Sequence, residues 1–161
     1  MVRLLERIID RVTGFAAVIG GVFTGIMTLI VGYAVIARYI FNRPIGWSEE
    51  ISVYLMVWAV FLGAAYTLKE DAHIGVDILI SKAPVRIRRA LLLFHYLVGI
   101  LFMSILFYHG IDMVALTLKM DSRSLAIDFP LVLSHLAVPV GSGILILQLI
   151  NKLISLAAGR H

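Results

Sequence analysis

The sequence contains no cysteine. Disulfides, thiolate chemistry and cysteine metal sites are thereby excluded. Charge is scarce too: Asp, Glu, Lys and Arg make up 15% of 161 residues, against 61% hydrophobic residues and a mean hydropathy of +0.99. Soluble domains carry about 25% charged and about 45–50% apolar residues. A domain of this size leaves too much surface exposed to hide such an excess. Lipid is the solvent that accommodates it. The length allows one helical unit and no separate soluble domain.

Charge is missing altogether from four runs. These are Val12 to Ala37 (26 residues), Ile51 to Leu68 (18), Ala90 to Ile111 (22) and Phe129 to Asn151 (23). A transmembrane helix needs about 20 apolar residues, with a range of about 17–25 and more when tilted. All four qualify, and the fold class they predict is an all-α integral membrane protein with four transmembrane helices. Four isolated strands could not close a barrel and would leave backbone groups unpaired in lipid. With no carboxylate in any run, no proton or sodium site is visible at mid-membrane. The paired halves and broken helices of a secondary carrier are missing as well. No nucleophile–base constellation or phosphate loop appears, so the chain does not read as an enzyme.

What is present agrees with this class. The segment from Asn42 to Gly46 makes a turn between the first two spans. Ser48 is placed to cap the second helix, with Glu49 and Glu50 favouring its positive end. Pro84 and Pro130 suit the first turns of the third and fourth helices. Pro139, followed by Gly141 and Gly143, predicts a kink within the fourth. Arg3, Arg7 and Arg11 precede an apolar run longer than the roughly 7–15 residues of a signal-peptide core, so the run reads as a retained first span.

The net charge of +4 comes from cations beside the apolar runs. That placement points to orientation in a membrane rather than to nucleic acid. Arg3, Arg7, Arg11, Lys69, Lys82, Arg86, Arg88, Arg89, Lys152 and Arg160 share one side, ten in all. Arg38, Arg43, Lys119 and Arg123 make four on the other. The positive-inside rule then puts both termini in the cytoplasm. Between the second and third spans, His73 to Ile80 reads either as a short interfacial helix near anionic headgroups or as a solvated loop.

Three motifs stand out. Ala17, Gly21, Gly25, Thr28 and Gly32 form a small-residue face on the first helix, with Gly21 and Gly25 as a GxxxG pair that lets another helix approach closely. The pattern leaves open whether that helix belongs to this chain or to a partner. Arg38 ends the first helix beside Glu49 and Glu50, as either an ion pair or solvated boundary charges. His95, His109 and His135 are the membrane histidines, and Asp112 follows His109 by three residues. Interhelical hydrogen bonds are one use for them. The competing reading is a stand-alone redox protein holding one haem; two haems are excluded because no matched pair lies on a second helix.

The ordered motifs resemble a known family. Arg38-Tyr39-Ile40-Phe41-Asn42-Arg43-Pro44, Trp47-Ser48-Glu49-Glu50 and Phe61-Leu62-Gly63-Ala64-Ala65 are similar to the small permease subunit of tripartite ATP-independent periplasmic (TRAP) transporters. So are His73-Ile74-Gly75-Val76-Asp77, Ser124-Leu125-Ala126-Ile127 with Pro130, and Ala137-Val138-Pro139-Val140-Gly141. The resemblance implies a non-catalytic subunit in the bacterial inner membrane without cofactors. It implies partnership with a large elevator-type permease subunit that carries sodium and an organic acid, of the C4-dicarboxylate or sialic acid type. It also implies a periplasmic substrate-binding protein and surrounding membrane lipids as partners. Arg38, Asn42, Pro44, Trp47, Ser48, Glu49 and Glu50 are then expected as a partner interface or structural clamp. Ala17, Gly21, Gly25 and Gly32 are expected as a packing face.

Overall fold

The computed structural model describes residues 2–70 and 84–157. Five helices lie within them: α1 (Val2–Tyr39), α2 (Gly46–Lys69), α3 (Val85–Lys119), α4 (Val132–His135) and α5 (Ala137–Ala157). The fourth span is α4 and α5 together. Four segments are long and apolar enough to cross a membrane: Glu6–Tyr39, Gly46–Lys69, Ile87–Lys119 and Val132–Ala157. The all-α expectation therefore holds. The stretch from His73 to Ile80 lies outside the described residues.

The helices overrun the uncharged runs. α1 takes in Glu6, Arg7, Asp10 and Arg11, and α3 takes in Arg88, Arg89, Asp112 and Lys119. At 38 residues, α1 would be about 57 Å long, well beyond the ~30 Å hydrocarbon core. Helical hydrogen bonding does not stop at the membrane surface, and long charged side chains keep their stems on the helix while their heads reach water.

Three helix starts differ from expectation. α2 begins two residues before Ser48, with Ile45 extended at its N-cap. Ser48 Oγ donates back to the Ile45 carbonyl at 2.7 Å, so it sits in the first turn and does not cap. Pro84 is the N-cap of α3, one residue outside the helix. Pro130 lies before α4, in an isolated antiparallel bridge with Arg123. The fourth span is interrupted at Leu136, where Pro139 has no N–H to give to the carbonyl of His135. The Val140 N–H donates to the Leu136 carbonyl at 3.1 Å as the helix resumes.

The helices stand in a row, in the spatial order α1, α2, α5, α3, with α1 also touching α5. Among the described residues, α3 comes within 8 Å (Cα to Cα) of neither α1 nor α2. α5 is the hub. In the most apolar window of the fourth span 44% of residues are buried, against 6% for the third. The main apolar cluster joins α2, α3 and α5 through Ala65, Leu68, Tyr96, Leu145, Leu149 and Leu156.

Glycines set the approach distances in this row. A Cβ on Gly141 would fall 2.3 Å from Phe61 Cβ, so α5 touches α2 backbone to ring. On Gly110 it would meet Pro139 at 3.0 Å, on Gly99 Leu149 at 3.2 Å, and on Gly20 the Ala59 carbonyl at 3.3 Å. The expected stripe behaves differently. A Cβ on Gly21, Gly25 or Gly32 would have nothing within 4 Å. These residues lie about 110–150° around the helix from the inward face made by Thr13, Ala16 and Gly20. The stripe thus faces away from the chain's own helices.

Gly141→Ala should lower stability by about 1–3 kcal/mol, the usual cost of overpacking, in thermal unfolding in detergent. Phe61→Ala in the same chain should recover part of that loss. Gly25→Ala should change unfolding by no more than about 0.5 kcal/mol.

Candidate functional site

The expected site residues gather at the end of the row where α1 hands over to α2 and α3 to α4. The first handover is a short turn. Asn42 adopts φ 51, a left-handed conformation that an Asn side chain tolerates better than most. The Arg43 N–H donates to the Ala37 carbonyl at 3.0 Å. Pro44 is exposed, and Trp47 is 37% exposed where an amphipathic ring suits a membrane interface.

Arg38 and the two glutamates are not one cluster. Arg38 Nη2 donates to Glu49 Oε1 at 2.8 Å, so the ion-pair alternative is the one the structure adopts. The side chains are 53% and 73% exposed; in water such a pair contributes only about 0.2–1 kcal/mol. Beneath them, α1 and α2 part around a cleft of about 360 Å³. Val31, Ala34, Val35 and Val53 line it below the charges, with Ser48 and Ser52 on the α2 wall.

Glu50 points elsewhere, because consecutive helical residues are about 100° apart. It accepts a hydrogen bond from Ser124 Oγ, and its carboxylate lies 3.3 and 3.4 Å from the Ala126 N–H. This ties the start of α2 to the loop between α3 and α4. That loop is built tightly. The Ser124 N–H donates to Phe129 O at 2.8 Å, and the Leu131 N–H to Ser122 O at 3.1 Å. Asp121 and Asp128 take positive φ values of 46 and 54, and Arg123 lies 3.6 and 3.3 Å from their carboxylates. Leu125 at its tip is fully exposed. Below it, Tyr54 stacks on Phe129 with centroids 5.9 Å apart, and the Trp58 Nε1–H donates to Leu133 O at 2.9 Å. The carboxylates of the Glu49-Glu50 dipeptide thus serve two different joints, which the paired letters alone did not reveal.

At the opposite end, Gln148 is wholly buried and donates through Nε2 to Thr13 Oγ1 at 2.7 Å, with Asp10 Oδ1 at 3.5 Å. This polar joint between α1 and α5 was not singled out from sequence. Its signal was there: an amide inside an uncharged membrane run needs a partner on another helix.

The histidines do not converge. His95 and His109 sit on one helix, about 21 Å apart along its axis, so they cannot ligate one iron together. His109 meets Tyr108 edge-on rather than Asp112. His135 Nδ1 lies 2.8 Å from Thr117 Oγ1, the interhelical use expected above. Among the described residues, no group of three His, Asp or Glu side chains is placed to hold a metal ion. The chemistry of the arrangement is that of joints and surfaces.

Comparison with known proteins agrees with that character. Residues 27–159 match the family model of tripartite ATP-independent periplasmic transporters, DctQ component. A C4-dicarboxylate TRAP transporter small permease protein from Vibrio cholerae is 46% identical over 67 residues, 42% of this chain and 29% of that protein. Its counterpart from Rhodobacter capsulatus is 31% identical over 136 residues, 82% of this chain and 59% of that protein. An isethionate TRAP transporter permease protein, DctMQ, from Oleidesulfovibrio alaskensis is 24% identical over 110 residues, 66% of this chain but 17% of that protein. The chain thus covers less than two thirds of the length of each of these relatives. With a family match over most of its length, the chain belongs to the DctQ-type small permease family of TRAP transporters.

Proposed function

We propose that this chain is the small membrane subunit of a sodium-coupled TRAP transporter for organic acid uptake, and that it braces the scaffold of a large elevator-type permease. The observation that carries this reading is the open row of helices. A chain with its own transport path would wrap helices around it, whereas here α1 and α3 stand at two edges with most of their apolar surface outward. Such surface suits a larger membrane body. The DctMQ relative supports this, since the matching segment takes up only 17% of a single longer permease chain. The relatives' names, with C4-dicarboxylate and isethionate, favour a small organic acid as substrate. On this reading, both termini are cytoplasmic. Arg38, Asn42, Pro44, Trp47, Ser48, Glu49 and Glu50 then sit at the periplasmic end, where a substrate-binding protein docks on the assembled pair. The stripe of Ala17, Gly21, Gly25 and Gly32, outward at its three glycines, is a packing face for the large subunit.

Proteoliposomes holding this chain alone should show no sodium-driven uptake. Adding the large subunit and the binding protein should restore it. Uptake by the lone chain would overturn the bracing role. Because the chain has no native cysteine, single cysteines report its sidedness. One placed at Asn42 or Ser122 should label from the periplasm, and one at Ser81 should not.

Removing the Glu50 joint should loosen the second handover. Hydrogen bonds to a charged acceptor are worth about 1.5–3 kcal/mol. Glu50→Gln should speed amide exchange at Ala126 and lower recovery of the complex with the large subunit. Ser124→Ala should add little once Glu50 is changed, as a double-mutant cycle would show. Normal exchange and normal recovery in both variants would remove the joint from the assembly.

A further inference from the structure

The cleft under the Arg38–Glu49 pair joins a charged mouth to an apolar floor, in the order of a phospholipid. At its mouth a guanidinium and a carboxylate stand side by side, 2.8 Å apart and open to the outside. Their contact uses one N–H of the five that an arginine carries, and one of two carboxylate oxygens. Both groups therefore keep capacity for a further partner.

Three residues deeper on α2, about 4.5 Å along the axis, lies Ser52. The residue lines the same cleft, while its Oγ is shielded from the open volume as it is from solvent. Deeper still the cleft is apolar, with Val31, Ala34, Val35 and Val53. From Arg38 down to Val31 is seven residues, about 10 Å, within the outer third of the hydrocarbon core.

We propose that this cleft binds one phospholipid with a zwitterionic headgroup that carries a primary ammonium. Arg38 holds the phosphate through its outward N–H groups. The ammonium donates to the free oxygen of Glu49. The start of one acyl chain lies on Val31, Ala34, Val35 and Val53. The volume of about 360 Å³ admits the polar part and a short length of chain, not the whole lipid.

The charges decide which lipid. A phosphatidylglycerol would meet Arg38 but leave its only charge facing the Glu49 carboxylate. A choline headgroup has no N–H to donate. Free phosphate would not use the apolar floor. This site does not depend on the proposed partners of the chain, and it gives the exposed ion pair a role that its small worth in water does not.

The test uses the full chain, purified in mild detergent and titrated with equal amounts of phosphatidylethanolamine, phosphatidylglycerol and phosphatidylcholine. Native mass spectrometry reads which lipid stays bound. The wild type should keep phosphatidylethanolamine about tenfold over either other lipid, the equivalent of one charge-assisted contact. Glu49→Gln should reduce that preference to about twofold or less. Ala34→Phe keeps both charges and fills the apolar floor; it should lower retention of phosphatidylethanolamine about tenfold while thermal unfolding stays cooperative.

The proposal is overturned if the wild type shows no preference, or if the preference survives both Glu49→Gln and Ala34→Phe. Repeating the measurement with the large permease co-expressed separates the remaining occupant. Lipid retained in the complex supports the site. Lipid absent from the complex, with Ala34→Phe breaking the complex instead, means that a protein segment fills the cleft and the lipid assignment fails. Loss of the complex with lipid still bound to this chain would count against the bracing role alone.

Discussion

Lipid exerts no hydrophobic pressure between helices, so membrane helices are held by van der Waals fit and interhelical hydrogen bonds. In this chain that fit is concentrated on α5. Gly141 brings its backbone against Phe61 of α2, and Leu149 and Pro139 meet Gly99 and Gly110 of α3. Each contact is close because a hydrogen stands where a Cβ would be. The fully buried Ser142 and Gln148 lie on the same helix, so the hub presents a glycine to α2, large side chains to the glycines of α3, and polar groups between. The edges of the row depend on it: among the described residues α3 has no other long helix to pack on, and α1 rests on α2 with a further touch at Gln148.

The polar groups then mark where elements meet. Gln148 with Thr13 joins α1 to α5, His135 with Thr117 joins α4 to α3, and Trp58 with the Leu133 carbonyl joins α2 to α4. Glu50 reaches furthest in sequence at this end, holding Ser124 and Ala126. In a low-dielectric setting, unpaired polar atoms are expensive and paired ones fix geometry. Few such groups are available in so apolar a chain. Their distribution, roughly one per helix junction, makes the row a defined shape rather than a loose association.

Much of this was legible beforehand. Four helices follow from four uncharged runs, since little else satisfies backbone groups in lipid. The interruption near Pro139 follows from a missing N–H, and the Arg38–Glu49 pair from two helix ends at one turn. The rest depended on rotation and depth, which composition does not encode. The stripe of Gly21, Gly25 and Gly32 was visible as a face, but the periodicity could not tell an inward face from an outward one; Gly20, one residue earlier, turned out to make the contact. Glu49 and Glu50 were read as a unit because they are adjacent, although adjacency on a helix means divergence. Pro130 was read as a helix start because proline often is one, and the bridge to Arg123 could not be seen without the fold of the loop.

The order of the helices in space differs from their order along the chain, and this has a consequence for synthesis. Chains emerge N-terminus first and fold by domains or units as they appear. Here α1 and α2 form a hairpin that can close as soon as both are inserted. α3 enters the bilayer next with nothing to pack on, because it touches neither of them among the described residues. The short α4 gives α3 its first contact, and only when α5 arrives, and slots between α2 and α3, does α3 gain a long neighbour. The fourth span is therefore the keystone of the first three, and a ribosome stalled before residue 137 leaves a hairpin and a third span held to it only through α4 and its loop.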